Sequence, residues 1–447
     1  MAEVTLAQIL EARDRRAEFQ RTLLEMYGYP LISFTMNIAG PIKCSPLIER
    51  AFRFGLNLLD NRLSPELVLD RRIEISDTGC QAFYCVKKAA SELKQLCISI
   101  EDASPLGRLF DLDVIDSDGI ALKRPSLRGC IVCGAPGRAC AAGRLHSVAE
   151  LQFTTNRIIT EHFAPADAKK IAALAVQSLI DEVNTTPKPG LVDRRNNGSH
   201  RDMDISTFLK SAAALEPYFQ DCVKIGQQTA TQSPEETFLC LRVAGLSAEK
   251  EMYAATGGVN THKGIIYTLG ILCGALGRLW TPETPIALIP RLFDECAQMA
   301  QPSVSSDIAT FDGSTAGQRL YLSQGIPGIR GEVAAGLPSV KNISLPAYQT
   351  GLRAGLSANI SGVIALLHLI AEVKDTNLYH RGGVEGAEFA ANAARALLRE
   401  NESPRLEQIE ALDDAFIARN LSPGGCADLL AVTYFVSSLA ENCLLLL

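Results

Sequence analysis

Two kinds of hydrophobic pattern run along the chain. In the first third, short runs with a two-residue period or a β-branched and aromatic bias predict strands over 31–40 (LISFTMNIAG), 71–76 (RRIEIS), 81–86 (QAFYCV), 96–102 (LCISIED) and 110–116 (FDLDVID). Helical patterns over 45–59 and 87–95 separate some of them. These elements predict an α+β unit whose sheet is at least partly mixed. Past residue 166 strand patterns become scarce. Apolar residues recur at helical spacing over 205–229, 235–254, 263–280, 285–300, 355–373, 383–400 and 424–444. Asp167 is placed to cap a further helix, with Ile171, Leu174, Ala175, Ser178 and Val183 on one face. The many Ala, Leu and Gly residues allow close helix approach and predict an all-α unit. The boundary falls in EHFAPADA (161–168), where Pro165 can interrupt one element, giving domains 1–165 and 166–447.

The first helix, 5–27, is not uniformly amphipathic. Thr5 and Gln8 have the spacing of a capping box, and Leu6, Ile9, Leu23 or Leu24, and Tyr27 recur on one side. Between them the same stripe carries Arg13, Arg16 and Gln20. That interruption reads either as a solvated surface patch or as an anion site.

Charge narrows the function classes. The 447 residues carry a net charge of −7, which argues against binding nucleic acid by phosphate neutralisation. The first 165 residues hold 20 Lys+Arg and 20 Asp+Glu, and the remainder 23 and 30, so the acidity lies in the helical part. No apolar run is long enough for a bilayer span, and charges from Glu11 to Arg16 interrupt any secretory leader. With thirteen cysteines, an odd number, the expectation is a cytoplasmic protein whose cysteines are thiols or metal ligands.

Four groups of residues carry candidate chemistry. In GRLFDLDVID (107–116), Asp111 and Asp113 share one strand face and could hold Mg²⁺ beside a phosphate substrate, with Gly107 and Arg108 supplying a turn and a guanidinium. The alternative is a solvated acidic strand face. RGCIVCGAPGRACAAGRLH (128–146) offers Cys130, Cys133, Cys140 and His146 as a structural Zn²⁺ set. Its first gap is a zinc-knuckle spacing, but the later gaps are not standard, and buried apolar cysteines are the alternative. Arg124, Arg128, Arg138 and Arg144 nearby would suit a zinc-dependent nucleic-acid binder, which the neutral charge of this part opposes. In SFTMNIAGPIKCSPLI (33–48), Asn37 and Lys43 flank a Gly-Pro turn.

The fourth group is three polar loops that lead into helices in the second part. PKPGLVDRRNNGSHRDMD (187–204) carries Lys188, Asp193, Arg194, His200 and Asp202. GGVNTHKG (257–264) carries Asn260, His262 and Lys263, and NLSPGGCADLLAV (420–432) carries Ser422, placed to cap, and Asp428. Helix starts favour anions through free N–H groups. Capping accounts for Ser422, not for so many charged residues together. GIPGIRGE (325–332) has no βαβ context and reads as a loop in which Arg330 and Glu332 pair. There is no GxxxxGK[ST], which excludes a P-loop NTPase.

These motifs resemble two families. KPGLVDR with GSHRDM, GGVNTHKG, STAGQRLY with GIRGEVAAGLPSV, and SPGGCADLLAV are similar to the triphosphoribosyl-dephospho-coenzyme A synthases (CitG) and cover most of 166–447 in order. RDRRAEFQ, FTMNIAGPIK, GRLFDLDVID and the Cys–His segment are similar to the citrate lyase holo-acyl-carrier-protein synthases (CitX), with Ala39 and Arg195 as departures. The whole chain looks like the fused CitXG form. The resemblance implies an α+β nucleotidyltransferase-like N-terminal domain followed by an all-α C-terminal domain. It implies that ATP and 3′-dephospho-coenzyme A are joined with loss of adenine, and that the product passes to a serine of the citrate lyase acyl carrier with loss of diphosphate.

On that reading Asp193, Asp202 and Asp428 serve as base or metal ligands, and His200 as an acid near adenine. Lys188, Arg194, Asn260, His262, Lys263 and Arg330 would contact substrate and its phosphates. In the first part Asp111 and Asp113 would hold Mg²⁺, and Arg13, Arg16, Lys43 and Arg108 would steady phosphates. A malonate decarboxylase carrier, or a metal-dependent glycohydrolase acting on ADP-ribose-like bonds, would fit parts of the same pattern. No nucleic-acid or membrane partner is expected.

Overall fold

A computed structural model describes residues 2–284, 289–400 and 404–445. They form two compact units, one of residues 1–165 with 281–283 and the other of 166–280 with 284–447.

In the first unit, helix α1 (Leu6–Tyr27) precedes strand β1 (Leu31–Met36), helix α2 (Pro46–Arg62), strands β2 (Val68–Ser76) and β3 (Gly79–Val86), helix α3 (Ala90–Asp102) and strand β4 (Phe110–Ile115). The sheet order is β2-β3-β1-β4 and every pairing is antiparallel, which replaces the mixed sheet expected from sequence. From β1 onward this is the split βαβ arrangement, in which a βαβ crossover leaves room for a third strand between its two. The segment 96–102 is helix rather than strand. Leu93, Lys94, Cys97, Ile100 and Glu101 form one buried helical face there, and the local alternation of LCISIED hid that longer period.

One sheet face packs Ile32, Phe34, Phe83's neighbours Ala82 and Tyr84, Phe110, Leu112 and Val114 into the interior. Phe34 stacks on Phe52 of α2 and meets Phe110 edge-on. The other face takes α1, whose Leu23 packs against Leu31, Phe83 and Cys85. The Thr5–Gln8 capping box forms as expected. Leu6, however, is exposed, whereas Phe19 meets Phe83 edge-on and Leu23 is buried.

A short helix α4 (Gly137–Ala142) and the long helix α5 (Val148–Asn184) follow. Pro165 lies inside α5 and ends nothing, and Asp167 caps nothing: its buried carboxylate accepts the Trp280 Nε1–H at 3.0 Å. The second unit continues with α6 (Ile205–Ala214), α7 (Glu216–Gln228), α8 (Pro234–Ala255), α9 (Lys263–Leu279), α10 (Ile289–Ala309) and α11 (Ala316–Gln324). After these come α12 (Gly328–Ala334), α13 (Leu345–Arg353), α14 (Ala358–Glu372), α15 (Thr376–Glu400), α16 (Leu406–Ala418) and α17 (Gly424–Leu445). The first residues of the helix expected over 285–300 lie outside the described residues.

The expected helix over 205–229 is two helices, with a capping box at Asp204 on the first and Pro217 near the start of the second. Close approach is visible where α7 crosses α9: a Cβ on Gly226 would sit 2.0 Å from the Gly274 carbonyl oxygen. Nearly every residue of α9 between Ile265 and Gly277 is buried, so its polar N-terminus is anchored on a rigid central element.

Two candidate active sites

In the first unit β4 does what its alternation predicts. Phe110, Leu112 and Val114 are buried, while Asp111 and Asp113 point to the face covered by α1, paired in register with Thr35 and Ser33 of β1. Gln20 of α1 donates to Ser33 Oγ at 2.9 Å, fixing the helix over that face. One turn earlier, Arg16 is close enough to feel both carboxylates. Partial burial and then Arg13 lower its pKa, and Asp111 and Asp113 oppose them. The Asp111 carboxyl is raised, first by loss of solvent and then by the like charge of Asp113; Arg128, Lys94 and Arg16 act against this.

Both aspartates line a cavity of about 1380 Å³ together with Lys94, Arg108, Arg124 and Arg128. Glu101, which the strand assignment concealed, organises this wall. Its buried carboxylate accepts the Leu112 N–H at 2.9 Å and the Arg124 guanidinium at 2.9 Å. Arg128 donates to the Phe110 carbonyl at 2.7 Å and Arg108 to the Gly129 carbonyl. The turn at Gly107 is not a phosphate cradle. It lies in a short 3₁₀ segment, and a Cβ there would sit 2.5 Å from the Glu101 carbonyl oxygen, so glycine serves close packing. Asn37 lines the cavity; Lys43 does not, and its ammonium is spent on the Ile38 carbonyl.

In the second unit the three polar loops converge. Lys188, His200, Asp202, Asn260, His262, Lys263, Ser422 and Asp428 all line one cavity of about 1170 Å³, and Arg330 joins them. Asp193 and Arg194 do not line it. The Asp193 carboxylate accepts the backbone N–H groups of Lys188 at 2.8 Å, Arg195 at 2.7 Å and Asn196 at 3.1 Å, so it folds the loop instead of facing substrate. Arg194 donates to Asn184 Oδ1 at 2.8 Å, and its neighbour Arg195 pairs with Asp413 and Asp414. Arg330 and Glu332 lie in helix α12 and do not pair with each other. Glu332 accepts the Ser339 N–H at 2.6 Å, and Arg330 lies 3.6 Å from Asp307.

Two buried acids of this cavity were not singled out from sequence. Glu182, at the end of α5, holds the buried Lys188 ammonium, which also donates to the Glu182 carbonyl at 2.7 Å. Asp375 caps two helices. Its Oδ1 accepts the Asn377 N–H of α15 at 2.7 Å and its Oδ2 the Cys426 N–H of α17 at 2.8 Å. Ser422, expected to cap α17, instead meets His200 Nε2 at 2.9 Å. In sequence Glu182 is one more helix acid and Asp375 one more N-cap; only the fold brings them to Asp428.

Asp428 is the most strongly perturbed carboxyl here. Burial first, then Glu182 and Asp375, push its pKa well above the ordinary value. It lies against the first turn of α9, where a Cβ on Gly264 would fall 1.9 Å from its Oδ2. His262, one residue before α9, is buried. Its Nδ1 is 2.7 Å from Ser211 Oγ, and its Nε2 has no hydrogen-bond partner among the described residues. Burial and the Lys188 charge lower its pKa to about 3, so it is neutral at pH 7. His200 is also lowered, by burial and then by Arg381, which donates to its Nδ1 at 3.3 Å. That contact assigns the proton to Nε2, facing Ser422.

Comparison with known proteins gives two family matches in chain order. Residues 4–162 match the apo-citrate lyase phosphoribosyl-dephospho-CoA transferases (CitX), and residues 168–444 match the ATP:dephospho-CoA triphosphoribosyl transferases (CitG). Protein CitXG of Haemophilus influenzae is 35% identical across 99% of this chain and 97% of its own length. Protein CitXG of Leuconostoc mesenteroides subsp. cremoris is 32% identical across 98% of each. The 2-(5''-triphosphoribosyl)-3'-dephosphocoenzyme-A synthase of Klebsiella pneumoniae is 38% identical across 63% of this chain and 94% of its own.

Proposed function

Because the chain belongs to the CitXG family, a CitX unit followed by a CitG unit, we propose that its two cavities perform two successive transfers on one prosthetic group. It is a bifunctional transferase. In the second unit the 2′-hydroxyl of 3′-dephospho-coenzyme A bonds to the ribose C1 of ATP and the bond to adenine breaks; a base takes the hydroxyl proton, and the departing adenine nitrogen gains one. The observation that carries this reading is Asp428. A carboxylate with a raised pKa is a stronger proton acceptor than an ordinary one, and it can also stabilise an oxocarbenium-like ribose. Asp428 lies against the start of α9, in a cavity that Lys263 and Arg330 also line, and these are groups suited to phosphates. Neutral His262 offers Nε2 to a substrate polar group, because a buried atom of this kind is costly without a partner.

In the first unit the serine hydroxyl of the citrate lyase acyl carrier attacks the phosphorus nearest the added ribose, and diphosphate leaves. This is a nucleotidyltransferase-type displacement. Arg16, with Arg13 one turn away, faces the acidic pair, and Arg108, Arg124 and Arg128 line the cavity beside it; these are groups suited to the leaving charge.

Mg²⁺ fits both cavities. Carboxylates are its natural donors, and it is ordinarily held by one or two of them together with substrate phosphates. Asp111 and Asp113 would hold it in the first unit, and exposed Asp202 with the substrate phosphates in the second; its contribution would be to neutralise phosphate charge. The citrate lyase carrier is favoured over a malonate decarboxylase carrier by the CitX match. No helix among the described residues is long and apolar enough to cross a membrane, and the free thiols of the described cysteines suit a reducing cytoplasm. The test is intact-mass spectrometry of apo carrier incubated with this protein, ATP and dephospho-coenzyme A. A serine-linked phosphoribosyl-dephospho-coenzyme A adduct with adenine release is expected; adenine release without the coenzyme would point to a glycohydrolase.

A further inference from the structure

The Cys–His segment of the first unit is not used by either transfer, and it is the one group of three or more metal-donor side chains that the fold gathers tightly among the described residues. The ligand atoms of Cys130, Cys133, Cys140 and His146 all lie within 4.8 Å of one another. A tetrahedral zinc site with Zn–S near ~2.3 Å and Zn–N near ~2.0 Å needs donor separations of roughly 3.5–3.8 Å. The Cys133 and Cys140 sulfurs are already 4.0 Å apart.

The backbone is shaped for the purpose at each donor. Cys130 and Cys133 flank a tight turn, in which Gly134 N–H donates to the Cys130 carbonyl at 3.0 Å, and Gly134 takes a φ of 73° that favours glycine. The Val132 N–H points at Cys130 Sγ at 3.4 Å, as expected where a sulfur carries thiolate charge. Cys140 sits in α4. That helix ends when Arg144 adopts a left-handed φ of 48° and the Leu145 N–H returns to the Cys140 carbonyl at 3.2 Å, a closure that carries His146 back over the thiols. The second, independent observation is His146 Nε2, which is buried and has no hydrogen-bond partner among the described residues. A buried ring nitrogen beside three thiols is costly as an orphan and ordinary as a metal ligand.

We propose that this unit binds one Zn²⁺ through Cys130, Cys133, Cys140 and His146, in a closed structural site. Three thiolates and a neutral imidazole fill four positions, leaving none for substrate. The role is to hold one wall of the transferase cavity. Cys130, Cys140 and His146 line that cavity with Asp111 and Asp113, and the segment is tied across it by Arg108 to the Gly129 carbonyl and by Arg128 to the Phe110 carbonyl. Zinc therefore supports carrier modification and leaves adenine release in the second unit untouched. The rival arrangement is a Cys130–Cys133 disulfide, which would remove two donors.

The test is metal analysis of the full chain purified from zinc-replete medium, with two variants. One bound zinc per chain is expected, falling to none in a Cys130→Ser/Cys133→Ser variant and retained in His146→Cys, which keeps four soft donors. Co²⁺ exchanged into the site should give the intense thiolate-to-cobalt absorption of a tetrahedral site. Carrier transfer should fall at least tenfold in the double variant while its adenine release stays at the wild-type rate, which also shows that the second unit has folded. Zinc-free protein whose four donors take up neither Zn²⁺ nor Co²⁺ would overturn the proposal, as would an alkylation pattern showing Cys130 and Cys133 oxidised to a disulfide. So would full zinc occupancy in the double variant. Metal content is read independently of any transfer, so failure here is distinguishable from failure of the functional reading.

Discussion

Replacing Gly264 with alanine tests the placement of Asp428 without touching its chemistry. The added Cβ would lie 1.9 Å from Asp428 Oδ2. Ordinary contact needs roughly 3.4 Å, so the carboxylate and the first turn of α9 must separate by about 1.5 Å. Helix α9 is buried along its length and cannot yield easily, so most of that movement falls on Asp428. Displacing a catalytic group by about 1 Å can cost on the order of 100-fold in rate. Gly264→Ala should therefore lower adenine release from ATP plus dephospho-coenzyme A by about 100-fold. Overpacking would cost about 1–3 kcal/mol of stability, partly offset by the better helix propensity of alanine, about 1 kcal/mol. Liquid chromatography of adenine gives the rate. Carrier transfer from supplied triphosphoribosyl-dephospho-coenzyme A, measured in parallel, should be unchanged. Wild-type adenine release in a folded Gly264→Ala protein would refute the assignment of Asp428 as base.

His262 gives a pH signature. Its folded pKa is lowered to about 3 from an ordinary 6.5, so the unfolded chain takes up a proton that the folded one refuses. Stability from this group is full above pH 6.5 and is lost as pH falls toward 3. Between pH 7.5 and 5.5 the loss should be about 1.4 kcal/mol, read by urea unfolding, and His262→Gln should remove that increment. The Lys188–Glu182 pair predicts a stability effect. Lys188→Met leaves a buried carboxylate unpaired, a loss of about 3–5 kcal/mol, and the second unit should melt roughly 10 °C lower by calorimetry. An unchanged melting temperature would mean that Glu182 finds another partner or a proton.

How much of this was legible in the sequence depended on range. The alternation of β4 placed Asp111 and Asp113 on one face because a strand's period is local. The three polar helix-entry loops were recognisable because turns and caps are local too. Contacts between distant segments were not recoverable. Asp193 looked like chemistry, but it binds three backbone N–H groups of its own loop. Asp375 and Glu182 carry no local signal of function and are buried acids that act on Asp428. Residues 96–102 failed for a different reason: in seven residues a helical face and a strand alternation coincide, and the helix was decided by burial of Cys97, Ile100 and Glu101 against the rest of the unit. Pro165 inside α5 shows that a single proline need not end a helix, even though the two compact units divide between it and Ala166.

The central claim is that one chain runs two separable reactions, one at Asp428 and one at Asp111 and Asp113. Its most direct test measures adenine release and carrier mass in the same incubation for Asp111→Asn and Asp428→Asn. Asp111→Asn should release adenine at the wild-type rate and leave the carrier unmodified. Asp428→Asn should release adenine at least 100-fold more slowly yet modify the carrier fully when given triphosphoribosyl-dephospho-coenzyme A. Loss of adenine release in a folded Asp111→Asn protein, or wild-type release from Asp428→Asn, would contradict the account.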